Sequence, residues 1–188
     1  MAETYSEAVA AGSLPQGTWV VDPVHSSIGF QVKHLGIANV RGEFGEFEGR
    51  LVVTDSGASA SGTVEAASVD TGQSQRDDHL RSADFFEVEK YPQITFASTE
   101  ITPVSDGQFE VKGDLTIHGV TRPITLEAEL EGYEPSDMQG KERIGVSATT
   151  KISRSDFEIK FDAALGSGNK VVGDQVKIFV EISAQKQD

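Results

Sequence analysis

Histidine has the clearest potential for chemistry in this sequence, and the chain contains four of them: His25, His34, His79 and His118. His25 and His34 are an odd number of positions apart, which places their side chains on opposite faces of a straight strand. His79 directly follows two acids in "RDDHLR", and consecutive residues of a helix point in different directions. The spacing therefore argues against a metal site. It predicts capping and ion pairing for His79 and a turn at His118, which precedes Gly119.

Two short motifs could suggest catalysis, but neither has the residues that the chemistry requires. "HSS" at positions 25–27 places His and Ser on opposite sides of a strand, and the sequence contains no GxSxG elbow. "GEFGEFEG" lacks the lysine and the following helix of a phosphate-binding loop. We therefore predict no catalytic residue and no metal. His34 remains open, because its parity on an apolar strand face suits either a ligand headgroup or a backbone hydrogen bond.

Composition excludes further classes of function. The net charge is −14, and a polyanionic surface repels nucleic acid and anionic lipid headgroups. We therefore expect no nucleic-acid partner and no stable membrane insertion. The absence of cysteine excludes disulfides and thiolate chemistry. The acidic start and the lack of a long apolar run predict a cytoplasmic protein, with residues 1–16 as a short helical or disordered extension and 17–188 as the folded domain.

Alternation of apolar and polar residues governs the chain after position 17. In "SSIGFQVKH", for example, Ile28, Phe30 and Val32 share one face, as antiparallel strands with a single buried face require. The pattern predicts eight strands, near 18–34, 38–54, 58–70, 93–102, 108–118, 121–133, 142–154 and 174–185.

Two features indicate how these strands are arranged. The apolar parity switches across Gly45, which predicts a bulge, and long bent strands favour a closed barrel over a flat sheet. The segment 73–92 lacks glycine and proline until Pro92 and predicts a short helix between strands 3 and 4, with Ser74 as its cap. Leu80, Ala83 and Phe86 would face the barrel end.

Several stretches resemble the YceI-like family in order and spacing: "DPVHSSIGFQVKHLG", "VRGEFGEFEG", "QRDDHLRSADFFEVEKYPQITFAS" and "GDLTIHGVTRPITL". The resemblance implies an all-β fold, an eight-stranded antiparallel up-and-down β-barrel that is lipocalin-like. It also implies an apolar interior that holds a polyisoprenoid or similar lipid. Glu158 departs from the family pattern, since a glycine is common at this position.

The interior of such a barrel is either filled by side chains or holds one slender ligand. Several inward positions are small, which favours a void: Gly42, Gly113, Ala128, Ala148 and Thr150. The candidate ligand contacts in the cavity or at its mouth are Phe30, Val32, His34, Phe44, Arg81, Phe85, Phe86, Phe96, Leu115, Ile117, Leu126, Phe157 and Phe161. The "HLRSADFF" segment would cover the entrance, with Arg81 meeting a headgroup, or act only as a plug.

These features predict a non-enzymatic protein that binds, stores or transports a long-chain polyisoprenoid or a related lipid, such as a quinone or its precursor. No cofactor is expected other than the bound lipid. Two alternatives are a small barrel enzyme that isomerises or cyclises a lipid through His34 or an interior acid, and a packed barrel without a ligand. The oligomeric state is left open between a monomer and a homodimer.

Overall fold

The computed structural model describes residues 14–163 and 165–188, so the predicted extension over residues 1–16 lies almost wholly outside the described residues. The strands are β1 Gly17–Val21, β2 Ser27–His34, β3 Ala38–Phe44, β4 Phe47–Thr54, β5 Gly57–Glu65, β6 Val69–Asp70, β7 Gln93–Ser105, β8 Gln108–Ile117, β9 Val120–Glu134, β10 Arg143–Ser153 and β11 Val172–Lys186. One α-helix, α1, spans Ser74–Arg81, and 3₁₀ turns span Pro23–His25, Ala66–Ser68 and Arg154–Phe157 in this part of the chain.

The sheet closes into a ring of eight antiparallel strands. The ring runs β1-β4-β5-β7-β8-β9-β10-β11 and closes because β1 also pairs with β11. β2 pairs with the other part of β11, and β3 and β6 continue the sheet beyond it. The prediction of an eight-stranded antiparallel barrel from alternating strands is therefore confirmed.

The predicted position of the helix, between strands 3 and 4, is wrong, because each of the first three predicted strands consists of two shorter ones. The chain bends at the 3₁₀ turns and at Gly45, where the Gly45 amide donates to the Ser68 carbonyl oxygen at 3.1 Å. β3 pairs with β2 whereas β4 pairs with β1, so the two halves of the second predicted strand have different neighbours. The helix follows β6 and precedes β7.

The helix is short, as predicted, with eight residues, but its cap differs from the prediction. Gln73 occupies the N-cap position, and Ser74 is the first helical residue rather than the cap. Helical hydrogen bonding ends at Arg81, and a series of turns follows in which the Phe86 amide donates to the Leu80 carbonyl oxygen at 2.9 Å. Ala83 is consequently exposed, whereas Leu80 and Phe86 contact the apolar interior.

Buried side chains concentrate at the two ends of the barrel. At one end, which we call the Trp19 end, the fully buried Trp19 packs with Phe109, Leu130 and Ile144. At the opposite end, which we call the helix end, Phe85 and Phe157 pack against Leu115 and Ile117 in the last part of β8. The segment between these two clusters contains the interior space.

Candidate ligand cavity

The barrel encloses a cavity of about 360 Å³ that extends from the Trp19 end to the helix end. This volume lies within the range of small-molecule sites. All the ring strands contribute to its walls, and the contributing side chains are overwhelmingly aliphatic or aromatic. Representative wall residues are Val21, Ile28, Leu51, Val64, Ile94, Ile101, Val111, Ile124, Val146, Ile152, Val176, Ile178, Val180 and Ile182.

Burial of the inward side chains shows where the barrel is hollow. Trp19 and Ile144 at one end are 0% and 2% exposed, and Phe157 at the other is 1% exposed. Inward residues halfway along the strands, such as Leu126 and Val180, are only partly buried. An inward apolar residue that keeps accessible surface faces an unfilled space, so the interior is a void between two packed ends.

Glycines determine the shape of this void, although not as the sequence predicts. Side chains fill the space above two of the glycines expected to leave room: the Phe30 ring lies over Gly42, and the Phe96 ring lies over Gly113. A Cβ atom at either glycine would approach the ring to 2.4 Å. The expectation that Gly42 and Gly113 enlarge the cavity is therefore wrong, because cross-strand aromatic rings cover them.

A pair of facing glycines lies elsewhere in the wall. Gly49 of β4 pairs directly with Gly62 of β5, and both line the cavity. The outward-facing neighbours Glu48 and Ser61 also contribute to the wall at this point. A Cβ atom at Gly49 would lie 3.3 Å from a Val21 methyl group, so the Val21 side chain partly covers this pair.

Polar side chains in the wall are few, and those of Thr150 and Arg154 are engaged by the protein. The Thr150 hydroxyl donates to the Thr125 carbonyl oxygen at 2.7 Å. Arg154 is 7% exposed and donates to three backbone carbonyl oxygens: that of Gly173 at 2.8 Å, that of Ile159 at 2.8 Å and that of Val172 at 3.1 Å. Arg154 thereby ties its 3₁₀ turn to β11 at the helix end.

Most of the predicted contact residues line the cavity, namely Phe30, Val32, Phe44, Phe85, Phe86, Phe96, Leu115, Ile117, Leu126 and Phe157. Contact of these residues with a ligand stays a prediction. Phe44 links two of them, since its ring centroid lies 5.7 Å from that of Phe30 and 5.8 Å from that of Phe86. The structure thus brings residues from β2, β3 and the segment after α1 into one aromatic wall.

Three predicted residues lie outside the cavity wall: His34, Arg81 and Phe161. His34 is exposed at the end of β2, where the pairing with β11 shifts register between Val172 and Val176. The Phe161 ring packs against those of Phe85 and His79, with both centroid distances 5.1 Å. Phe161 therefore supports the outer side of the aromatic wall.

Strand alternation contained information on the Trp19 end that the predicted site omitted. Trp19, Phe109, Leu130, Ile144 and Ala184 all line the cavity. Leu130, for example, lies between Glu129 and Glu131, so strand parity places it inside. The predicted site instead favours the helix end, where the "HLRSADFF" segment is the more distinctive motif.

Three of the four histidines, His25, His79 and His118, have structural partners. His79 pairs with Asp84 at 2.9 Å, which confirms the predicted ion pairing near the end of the helix. His118 has a φ of 55° and Gly119 a φ of 71°, so the predicted turn between β8 and β9 is confirmed. Among the described residues, no cluster of His, Cys, Asp or Glu could hold a metal ion, and no helix is long and apolar enough to cross a membrane.

The acids with the clearest pKa shifts lie outside the cavity. Backbone hydrogen bonds from Lys141 and Gln139, together with the Arg143 guanidinium, lower the pKa of Asp137 to about 2. Arg143 also donates to Asp22 at 2.9 Å, and a hydrogen bond from His25 is the largest cause of the lowered pKa of Asp22. These groups link the β9–β10 loop to the residue that follows β1, and they thereby stabilise the Trp19 end of the barrel.

The sequence matches the model of the YceI-like domain over residues 19–184. The chain belongs to the YceI-like family. Protein YceI of Escherichia coli O157:H7 is 40% identical over 158 residues, which cover 81% of this chain and 82% of that protein.

Solved structures agree with this YceI-like assignment. A YceI protein of Campylobacter jejuni shares 32% identity and superposes with a TM-score of 0.70, covering 83% of this chain and 90% of that one. A polyisoprenoid binding domain from Saccharophagus degradans has the same fold, with a TM-score of 0.66 over 92% of this chain and 100% of that one, at 16% identity.

Arg81 of this YceI-like protein has contacts that favour a role in anchoring the helix. Its guanidinium donates to the carbonyl oxygens of Ala67 at 2.9 Å and Val69 at 3.1 Å, and it also pairs with Asp78. We expect Arg81→Ala to lower the free energy of unfolding by about 1–2 kcal/mol, because two carbonyl groups lose their donor. Chemical denaturation would measure the change.

Gln75→Ala, an exposed substitution on the same helix, is the control and should leave stability within about 0.5 kcal/mol of the wild type. The rate at which a fluorescent prenyl analogue transfers to vesicles would separate the anchor from a gate. Unchanged stability of Arg81→Ala together with faster release would contradict the anchoring role and support the gate.

Proposed function

We propose that this protein binds a long-chain polyisoprenoid or a related lipid, such as a quinone or its precursor, inside the barrel and carries or stores it without chemical change. The observation that supports the proposal most directly is the long interior void between two packed ends, with a wall that is almost entirely apolar. An apolar chain gains roughly 0.8 kcal/mol for each methylene that leaves water. A site of this kind needs no charged recognition motif.

The shape of the void also suits a slender chain rather than a compact ligand. The barrel has eight strands, which leave an interior only wide enough for side chains or one narrow molecule. The rings of Phe30, Phe44 and Phe86 offer flat surfaces to isoprenoid double bonds. The polyisoprenoid binding domain from Saccharophagus degradans gives a precedent for this ligand class in the same fold.

The composition of the wall favours carriage over catalysis. The described part of the cavity wall includes no histidine, and its one acid, Glu48, is an exposed residue of outward parity. The Arg154 side chain is engaged by three carbonyl groups. Isomerisation or cyclisation of a lipid requires a proton-transfer group beside the reacting carbons, and this wall offers none that is placed for it.

Filling the cavity should abolish lipid binding while the barrel remains folded. Ala148 faces the void halfway along β10, opposite Ala128 of β9 and Val180 of β11. Ala148→Phe would place a ring across the passage, and we expect the affinity for a fluorescent prenyl analogue or a quinone to fall by about tenfold or more, because several buried methylene contacts are lost.

The matched control is Thr149→Phe, which adds a ring to the outer face of the same strand and should bind lipid as the wild type does. Thermal melting would verify that both variants fold. Organic extraction of the purified protein followed by mass spectrometry identifies any co-purified lipid. Unchanged affinity in Ala148→Phe, or the absence of both extracted lipid and quinone binding in the wild type, would contradict the proposal.

A further inference from the structure

A row of basic residues crosses the outer face of the barrel near the helix end. Lys151 of β10 lies directly opposite Lys177 of β11, Lys177 lies opposite Gln31 of β2, and Gln31 lies opposite Arg41 of β3. Lys33 is on the same face of β2, one step closer to the hairpin. We call Lys33, Arg41, Lys151 and Lys177 the basic stripe; all four side chains are exposed.

The basic stripe is unusual in a protein with a net charge of −14. Within residues 14–163 and 165–188, none of the four cations lies within ion-pair distance of a carboxylate, although other surface lysines such as Lys112 and Lys160 are paired. Directly opposed like charges such as those of Lys151 and Lys177 destabilise a sheet. The fold therefore maintains a local concentration of positive charge that stability alone does not favour.

The acids on these four strands do not neutralise the stripe. Glu43 lies two residues beyond Arg41 on β3, where it pairs with Asp70 of β6, and Glu181 lies four residues beyond Lys177 on β11. Asp174 is half-buried and accepts a hydrogen bond from the Ser155 amide at 3.0 Å. Phe179 organises the cations instead, since Arg41 and Lys177 lie over its ring at 5.8 Å and 5.3 Å from the centroid.

Exposed apolar side chains lie next to the stripe. Ile37 at the tip of the β2–β3 hairpin is 77% exposed, and Leu165 in the loop before β11 is 42% exposed. The two loops are in contact, because the Leu35 amide donates to the Val171 carbonyl oxygen at 3.1 Å. Large exposed aliphatic residues at loop tips beside cations are the features with which peripheral proteins contact a lipid surface.

We propose that the basic stripe and the Ile37 and Leu165 loop tips form a docking surface for an anionic lipid bilayer. The cations meet lipid phosphates, and the two aliphatic side chains enter the interface between headgroups and acyl chains. Arg154 and Phe157 of the cavity wall lie just before the loop that carries Leu165, so docking brings the helix end of the cavity to the membrane. The net negative charge elsewhere would orient the protein with this face toward the bilayer.

Co-sedimentation with vesicles tests the proposal in the intact protein. The wild type should sediment with vesicles of phosphatidylcholine mixed with an equal amount of phosphatidylglycerol, and added salt should weaken this binding. It should not sediment with phosphatidylcholine alone. Lys177→Glu should weaken binding to the mixed vesicles by about tenfold or more, since one cation near the surface becomes an anion.

Lys112→Glu is the matched control, because Lys112 is also an exposed lysine but lies on β8, outside the stripe. It should bind within about twofold of the wild type, whereas Ile37→Ser should bind more weakly. Thermal melting verifies that each variant folds. The experiment measures only the fraction of protein bound to vesicles, so its outcome does not depend on whether the cavity holds a lipid.

Three results would overturn the docking surface. The first is that the wild type does not sediment with anionic vesicles, and the second is that Lys177→Glu and Lys112→Glu lose vesicle binding equally. The third is that Ile37→Ser binds vesicles as the wild type does, while soluble polyaspartate competes with the vesicles for the protein. The last result would assign the stripe to an acidic polypeptide.

Discussion

Leu130→Glu should lower the free energy of unfolding by about 3–5 kcal/mol or prevent folding altogether. Leu130 is 7% exposed and packs at the Trp19 end among Trp19, Phe109 and Ile144. A carboxylate at this position would lose its hydration without gaining a cation or a hydrogen-bond donor. Chemical denaturation at neutral pH measures the effect.

The neighbouring residue supplies the control, because Glu129 on the same strand is exposed on the outer face. Glu129→Ala should change stability by no more than about 0.5 kcal/mol. Burial also raises the pKa of the introduced carboxyl group above the value of about 4.3 that it has in the unfolded chain. The penalty should therefore shrink as the pH falls from 8 to 5, because the folded protein can then hold this group protonated. Equal stabilities of the two variants would mean that the strand faces are reversed.

Arg154→Met should lower the free energy of unfolding by at least about 3 kcal/mol. The substitution keeps much of the apolar stem but leaves the carbonyl groups of Ile159, Val172 and Gly173 without their donor, and each unsatisfied buried acceptor costs roughly 1–3 kcal/mol. The loop before β11 should also become more accessible, which hydrogen exchange at Ile159 and Val172 would detect.

Arg122→Met is the matched control, since Arg122 is exposed and donates only to the carbonyl oxygen of the adjacent Thr121 among the described residues. We expect a change of no more than about 0.5 kcal/mol. If Arg154→Met unfolds at the same denaturant concentration as the wild type, the three hydrogen bonds do not stabilise the helix end.

The faces of single strands could be predicted from sequence because alternation is a local property. Leu115 and Ile117 line the cavity as their parity indicates, and Asp114 between them is exposed. Alternation does not reveal a shift of register between strands. His34 has the same parity as Phe30 and Val32, yet it is exposed at the end of β2, where the pairing with β11 shifts register.

Features that depend on contacts between distant residues could not be predicted in this way. The filling of the space above Gly42 depends on the rotamer of Phe30, and the burial of Arg154 depends on carbonyl groups supplied by β11 and the preceding loop. The glycine that is common in the family at position 158 does have a structural explanation. Glu158 has a φ of 60° at the end of the 3₁₀ turn, a backbone conformation that glycine adopts without strain.

The dual pairing of β11 has a consequence for how the chain folds. β11 pairs with β10 along most of its length, with β2 between Val172 and Glu181 and with β1 through Ala184–Lys186, so the ring closes only through this strand. During synthesis β1 emerges from the ribosome first, and it must wait for almost the whole chain before its second partner exists. Pairing of Trp19 with Lys186 is among the contacts of longest sequence separation in the fold, and such contacts slow folding. Until then the nascent sheet has two open edges and an uncovered apolar face. A chaperone, or a lipid that binds before the barrel closes, would meet the chain in this state.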